Sequence, residues 1–114
     1  MRLKRKGDRA ENLALKYLKQ AGLKLVTRNY HCRQGEIDLI MEEGEYLVFV
    51  EVRYRKNSQF GGAVQSVDWH KQQKIIACAK QYLQNLNKVP ACRFDVLAIE
   101  DKGQVEWLRN AFEV

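Results

Sequence analysis

Apolar residues recur at helical spacing between Asp8 and Ala21, where Ala10, Leu13, Ala14, Tyr17, Leu18 and Ala21 fall on one stripe. Asp8 is placed to cap the start of this helix and Gly22 its end. The period then shortens. Leu23 to Tyr30 (LKLVTRNY) alternates as a half-buried strand does. Two further strand-like runs, Glu36 to Glu42 and Glu45 to Arg53, flank Glu43-Gly44, where glycine supplies the positive φ of a tight hairpin. The three runs predict an antiparallel meander. A second helical period, from about Ser66 to Leu86, is carried by Ile75, Ile76, Ala79, Tyr82, Leu83 and Leu86, with Ser66 or Asp68 as cap. Asn87-Lys88-Val89-Pro90 stops it. Arg93 to Glu100 (RFDVLAIE) reads as another strand, and Asp101-Lys102-Gly103 turns the chain into QVEWLRN, an edge strand carrying Trp107 as a core cover.

Strand, helix, strand implies a right-handed crossover, so Arg93–Glu100 is expected parallel to the strand ending at Arg53, with the second helix across one face. The order helix, three strands, helix, two strands predicts an α/β sandwich around a central mixed sheet. A chain of 114 residues with 46% hydrophobic content supports one domain, residues 1–114, around one core.

Candidate chemistry lies on the hairpin. If Glu42 and Glu45 flank a two-residue loop, Asp38 lies opposite Phe49 and Glu51 sits diagonally from Asp38 on the same face. That diagonal spans roughly 7–8 Å, which lets two carboxylates converge on one cation. Arg53 points to that face too. A bulge or one-residue slip would separate the carboxylates. Glu51 interrupts YLVFVEV, a nearly continuous apolar run expected of a central strand. The bland alternative is that Glu51 ends the strand and pairs on the surface with Arg53 or Arg28.

Net charge of +6 favours a polyanionic partner, since Lys or Arg on a phosphate releases condensed counterions, although anionic membrane surfaces suit the same charge. The basic start MRLKRK is a solvated tail or a phosphate contact. Arg28 and Arg33 stand near the strand ends that lead to the carboxylates. Arg55 and Lys56 open a polar loop that ends in Phe60-Gly61-Gly62, either a substrate loop or a plain turn. Lys71 and Lys74 fall early in the second helix, where they hold backbone phosphate or form a solvated face. Cys32, Cys78 and Cys92 lack CxxC spacing, so reduced thiols are expected rather than a disulfide framework or zinc ribbon. His31 and Cys32 are adjacent, poor geometry for a shared metal, and read as structural. No apolar run approaches the roughly 18–20 residues that span a bilayer, and a cytoplasmic location is expected.

An Asp, a hairpin, then Glu-x-Lys on the next strand is the active-site pattern of the PD-(D/E)xK nucleases. GEIDLI followed by VFVEVRYR resembles the YraN-like family of uncharacterised bacterial proteins. The resemblance extends through Gly7-Asp8-Arg9-Ala10-Glu11, Arg28-Asn29, Arg93-Phe94-Asp95 and Ala111-Phe112, nearly the whole chain. It implies a restriction-endonuclease-like fold and a metal-dependent nuclease, similar to the small Holliday-junction resolvases that act as homodimers on branched DNA. By that resemblance Asp38 and Glu51 hold Mg²⁺ or Mn²⁺ with the Val52 carbonyl as third ligand, and Glu11 is an auxiliary acid. The same residue otherwise reads as a favourable charge near a helix N-terminus.

The chain departs from the superfamily in two places. Arg53 occupies the lysine position, and a guanidinium stays charged above pH 12, so Arg53 orients phosphate rather than serving as a base. The QxxxY pattern is missing, because Gln72 and Gln73 have Ile76 and Ala77 four positions on. A non-catalytic nucleic-acid-binding module on the same scaffold is the alternative.

Overall fold

The structure is a computed structural model and describes residues 6–55 and 67–114, with side chains from Asp8 onward. Its elements are α1 (Lys6–Gln20), β1 (Lys24–Cys32), β2 (Gly35–Glu43), β3 (Tyr46–Arg55), α2 (Trp69–Gln84), β4 (Ala91–Glu100) and β5 (Val105–Phe112). The five strands form one sheet in sequence order. β3 and β4 run parallel and every other neighbouring pair is antiparallel. This is the mixed sheet expected, with the α2 crossover between its parallel strands.

The sheet is covered on both faces. Ala10, Ala14 and Leu18 of α1 pack on Leu39, Met41, Val48, Val50, Leu97 and Ile99. Ile75, Ile76, Cys78 and Ala79 of α2 pack on Ile40, Leu47, Phe49, Phe94, Val96 and Ala98 on the other face. The run from Leu47 to Val50 is buried throughout because its alternate side chains enter different layers.

Local chemistry sets the element ends. α1 begins at Lys6, so Asp8 lies in its first turn rather than capping it. Its end is as expected: Gly22 takes φ 100°, its N–H bonds to the Lys19 carbonyl, and the Leu23 N–H reaches back to Leu18. Asp68 caps α2, its carboxylate accepting from the Lys71 N–H at 2.8 Å. The β2–β3 loop is Gly44-Glu45, flanked by Glu43 and Tyr46, one residue further along than expected. Gly44, at φ 58°, is thereby the first loop residue, where positive φ matches the twist of the hairpin.

The expectation of reduced thiols is also overturned. Cys32, at the end of β1, is disulfide-bonded to Cys78 in α2, with Cα atoms 5.4 Å apart, and Cys92 alone is a free thiol. Spacing along the chain carried no sign of this, because packing α2 across the sheet brings together residues 46 positions apart. No helix among the described residues is long and apolar enough to cross a membrane.

Candidate active site

The β2–β3 ladder runs from Glu43 opposite Tyr46 to Leu39 opposite Val50 and stops. Continuing that register sets Asp38 directly across from Glu51, not diagonal to it. The one-residue change in the loop moved the pairing by two positions, which preserves the faces. On the other side of β2, Arg28 pairs with Leu39 and Tyr30 with Ile37, while Asn29, opposite Asp38, takes φ 54°. Leu39 packs in the α1 layer, yet Ile37, two residues earlier, packs in the α2 layer with Tyr30. Strict alternation would keep both on one face, so β1 and β2 change faces together at the Asn29–Asp38 level. Asp38 thus occupies an opening between strands rather than a place in either layer.

The Asp38 carboxyl accepts the Val52 N–H at 2.8 Å through Oδ2 and stands close enough to Glu51 to feel its charge. Burial, then the Glu51 charge, and more weakly the charge of Glu11, push Asp38 up to about 8, against the opposing pull of the Val52 N–H. Glu51 is only 3% exposed and meets two cations on Oε2: Arg53 Nη1 at 3.6 Å and Lys71 Nζ at 3.5 Å. Lys71 comes from the first turn of α2, whose start Asp68 pins.

Glu11 of α1 is buried, and its Oε1 accepts from Arg28 Nη2 at 3.0 Å; the same guanidinium reaches Asn12 Oδ1 at 2.9 Å. A cavity of about 320 Å³ opens here, lined by Glu11, Asp38 and Val52, with Asp8, Glu36 and Tyr54 among its other walls. Asp38 and Glu11 face this cavity on the α1 side. Glu51, buried and next to Asp38, is not among its walls; it meets Arg53 and Lys71 on the α2 side of the sheet.

Of the other cations expected to meet nucleic acid, Arg33 sits exposed in the β1–β2 turn. Lys74 is exposed beside Gly35, and Arg55 is paired with Glu106 at 3.1 Å. Lys56 and the Phe60-Gly61-Gly62 loop end lie outside the described residues. His31, read as structural, pairs with Glu36 at 3.3 Å. Sequence reasoning put Lys71 on phosphate and missed its contact with Glu51, which depends on how α2 crosses the sheet. It also missed Asn29, whose tolerance of the left-handed region was the one available signal.

Among the described residues no group of three or more His, Cys, Asp or Glu side chains forms a metal cluster. The oxygen donors present are two facing carboxylates, the Val52 backbone and Glu11 behind Arg28. That set fits a hard, water-retaining cation such as Mg²⁺, which is commonly held by one or two carboxylates, and it does not resemble the nitrogen and sulfur sets of zinc sites. A larger hollow, about 480 Å³, lies at the opposite end of the sheet between Tyr46, Arg93 and Phe112. Its guanidinium is committed: Arg93 meets Glu43 at 2.7 Å and Asp95 at 3.0 Å.

Comparison with known proteins gives one consistent match. The model of the uncharacterised protein family UPF0102 matches residues 10–99. A UPF0102 protein of Psychromonas ingrahamii is 54% identical over 109 residues, covering 95% of this chain and 89% of that protein. One from Legionella pneumophila strain Philadelphia 1 is 54% identical over 112 residues, covering 95% and 94%. One from Nitrosospira multiformis is 52% identical over 116 residues, covering 100% and 98%.

Proposed function

The chain belongs to the UPF0102 family, and we propose that the opening between β2 and β3 is the active site of a metal-dependent nuclease. It would hydrolyse phosphodiester bonds, with branched DNA as the first substrate to try. The observation that carries this reading is the convergence of Asp38 and Glu51, from neighbouring strands, where their ladder ends. Few packing reasons place two carboxyl groups across from each other beside a sheet core, since desolvation and mutual repulsion both oppose it. The mixed sheet, with helices on both faces and a parallel β3–β4 pair, supports reading the fold as restriction-endonuclease-like.

In this reading Asp38, Glu51 and the Val52 carbonyl hold Mg²⁺ or Mn²⁺, and Glu11 adds negative charge from α1. The bound cation supplies Lewis acidity toward the scissile phosphate and acidifies a water. Arg53 donates to phosphate oxygens and stabilises charge developing on them. Lys71, Lys74 and Arg33, with Lys56, supply backbone contacts. Arg28 and Arg55 take part only by exchanging Glu11 and Glu106 for phosphate.

One observation favours a second reading. Arg53 and Lys71 already flank Glu51, as a non-catalytic nucleic-acid-binding module would require to keep that carboxylate neutralised without metal. A panel of branched, nicked and single-stranded DNA and RNA, with Mg²⁺, Mn²⁺ or chelator, separates the two. The nuclease reading expects metal-dependent cleavage that disappears in Asp38→Asn. Salt-sensitive binding without cleavage in either metal would replace it with the module.

A further inference from the structure

The two tryptophans have opposite surroundings. Trp107, half-buried, has three partners: its Nε1 donates to Asp95 at 2.9 Å, the Arg109 guanidinium lies 3.9 Å above its ring, and Tyr17 packs edge-on at 6.1 Å. Trp69, the first residue of α2, is 65% exposed, and among the described residues the ring that packs against it is that of His70, 5.3 Å away. The backbone beneath it is pinned. Val67 is buried, its carbonyl accepts from Gln72 Nε2 at 3.0 Å, and Asp68 caps the helix. With Val67 already in the core position, the indole is presented outward on a fixed turn.

Trp69 and Lys71 stand two positions apart on that turn, so their side chains leave the helix about 200° apart, Lys71 on the flank that meets Glu51 and Trp69 on the other. Lys71 reaches Glu51, so a strand lying in the carboxylate opening and crossing the start of α2 meets Lys71 first and the indole next. We propose that Trp69 is a stacking platform for an unpaired nucleobase, so that the substrate of this site is single-stranded, or carries a single-stranded segment, next to the phosphate held there. This rests on the nucleic-acid reading of the site and narrows its substrate class. A protein or lipid partner fits the patch less well, because those need contiguous apolar area, and the positions that adjoin Trp69 on the helix surface are Gln72 and Gln73, with His70 against its ring. Base stacking needs only one aromatic face with cations nearby, and in a continuous duplex the base faces are already covered.

The test uses the full chain in chelator, where no cleavage occurs, and follows tryptophan fluorescence while oligothymidine or a blunt duplex of equal length is added. The expected result is quenching and tighter binding with the single strand. Trp69→Ala should weaken single-strand binding roughly 5- to 150-fold while leaving duplex binding unchanged, and Trp69→Phe should keep most of it. Binding without quenching, or a Trp69→Ala effect equal on both substrates or absent from both, overturns the platform and leaves the nucleic-acid reading standing. Failure of the wild type to bind either substrate overturns both.

Discussion

Asp38 Oδ2 lies 2.8 Å from the backbone nitrogen of Val52, the residue that follows Glu51. The bond substitutes for a ladder contact at the level where β2 and β3 cease to pair, and it fixes the Asp38 carboxyl against Glu51. A group held this way has a signature in stability. Asp38 titrates near 8 in the folded chain and near 3.8 when unfolded, so between those values the native state holds a proton that the unfolded state has lost. Stability from this group is therefore complete below about pH 4 and declines as pH rises toward 8, with a slope of at most about 1.4 kcal/mol per pH unit. Urea melts of the wild type and Asp38→Asn across pH 4.5–9 should show the variant gaining relative stability up to pH 8 and no further. Parallel curves would mean that burial and the Glu51 charge do not raise the Asp38 pKa.

Divalent cations should act on the same pair in the opposite sense. A cation that binds only the folded site raises stability by about 2.7 kcal/mol at one hundred times its dissociation constant. Thermal melts with Mg²⁺ or Mn²⁺ should rise for the wild type and stay flat for Asp38→Asn and Glu51→Gln. Equal shifts in all three proteins would place the bound metal elsewhere.

Arg53 and Lys71 approach the same oxygen of Glu51, yet they differ in what they offer a phosphate. The guanidinium is a permanent fork, and the ammonium is a movable point charge. If Arg53 serves only to hold phosphate, Arg53→Lys should retain cleavage within about tenfold, while Arg53→Ala should lower kcat by about 10²-fold, the scale of one lost transition-state donor. A silent Arg53→Ala would remove this residue from the site.

How much of this was legible depended on whether the signal was local. The helical stripe of α1, the apolar run of β3 and the strand–helix–strand order carried the mixed sheet and the parallel β3–β4 pair, because each follows from periodicity and connection length. GEIDLI and VFVEVRYR carried the family. The facing of Asp38 and Glu51 was anticipated, though through a register that the Gly44-Glu45 loop corrects. What stayed hidden was non-local. Arg28 reaching Glu11, Lys71 reaching Glu51 and Cys32 reaching Cys78 all depend on how each helix lies across the sheet. The face change at Asn29 and Asp38 was hidden for a different reason, since one left-handed residue leaves no period to detect.

The Cys32–Cys78 bridge joins the end of β1 to α2, the helix that also delivers Lys71 to Glu51. Closing a loop with a sequence separation of 46 restricts the unfolded chain, worth about 4 kcal/mol by chain entropy and commonly about 2–4 kcal/mol in practice. Buried Ile75, Ile76 and Ala79 hold α2 to the sheet independently, so reduction should weaken the fold without dissolving it. Urea melts with and without reductant should differ by that amount, Cys78→Ala should abolish the difference, and replacing the free thiol in Cys92→Ser should leave it intact. Where mass measurement verifies the bridge but the melts superimpose, the cross-link adds no stability, and α2 is held by packing alone.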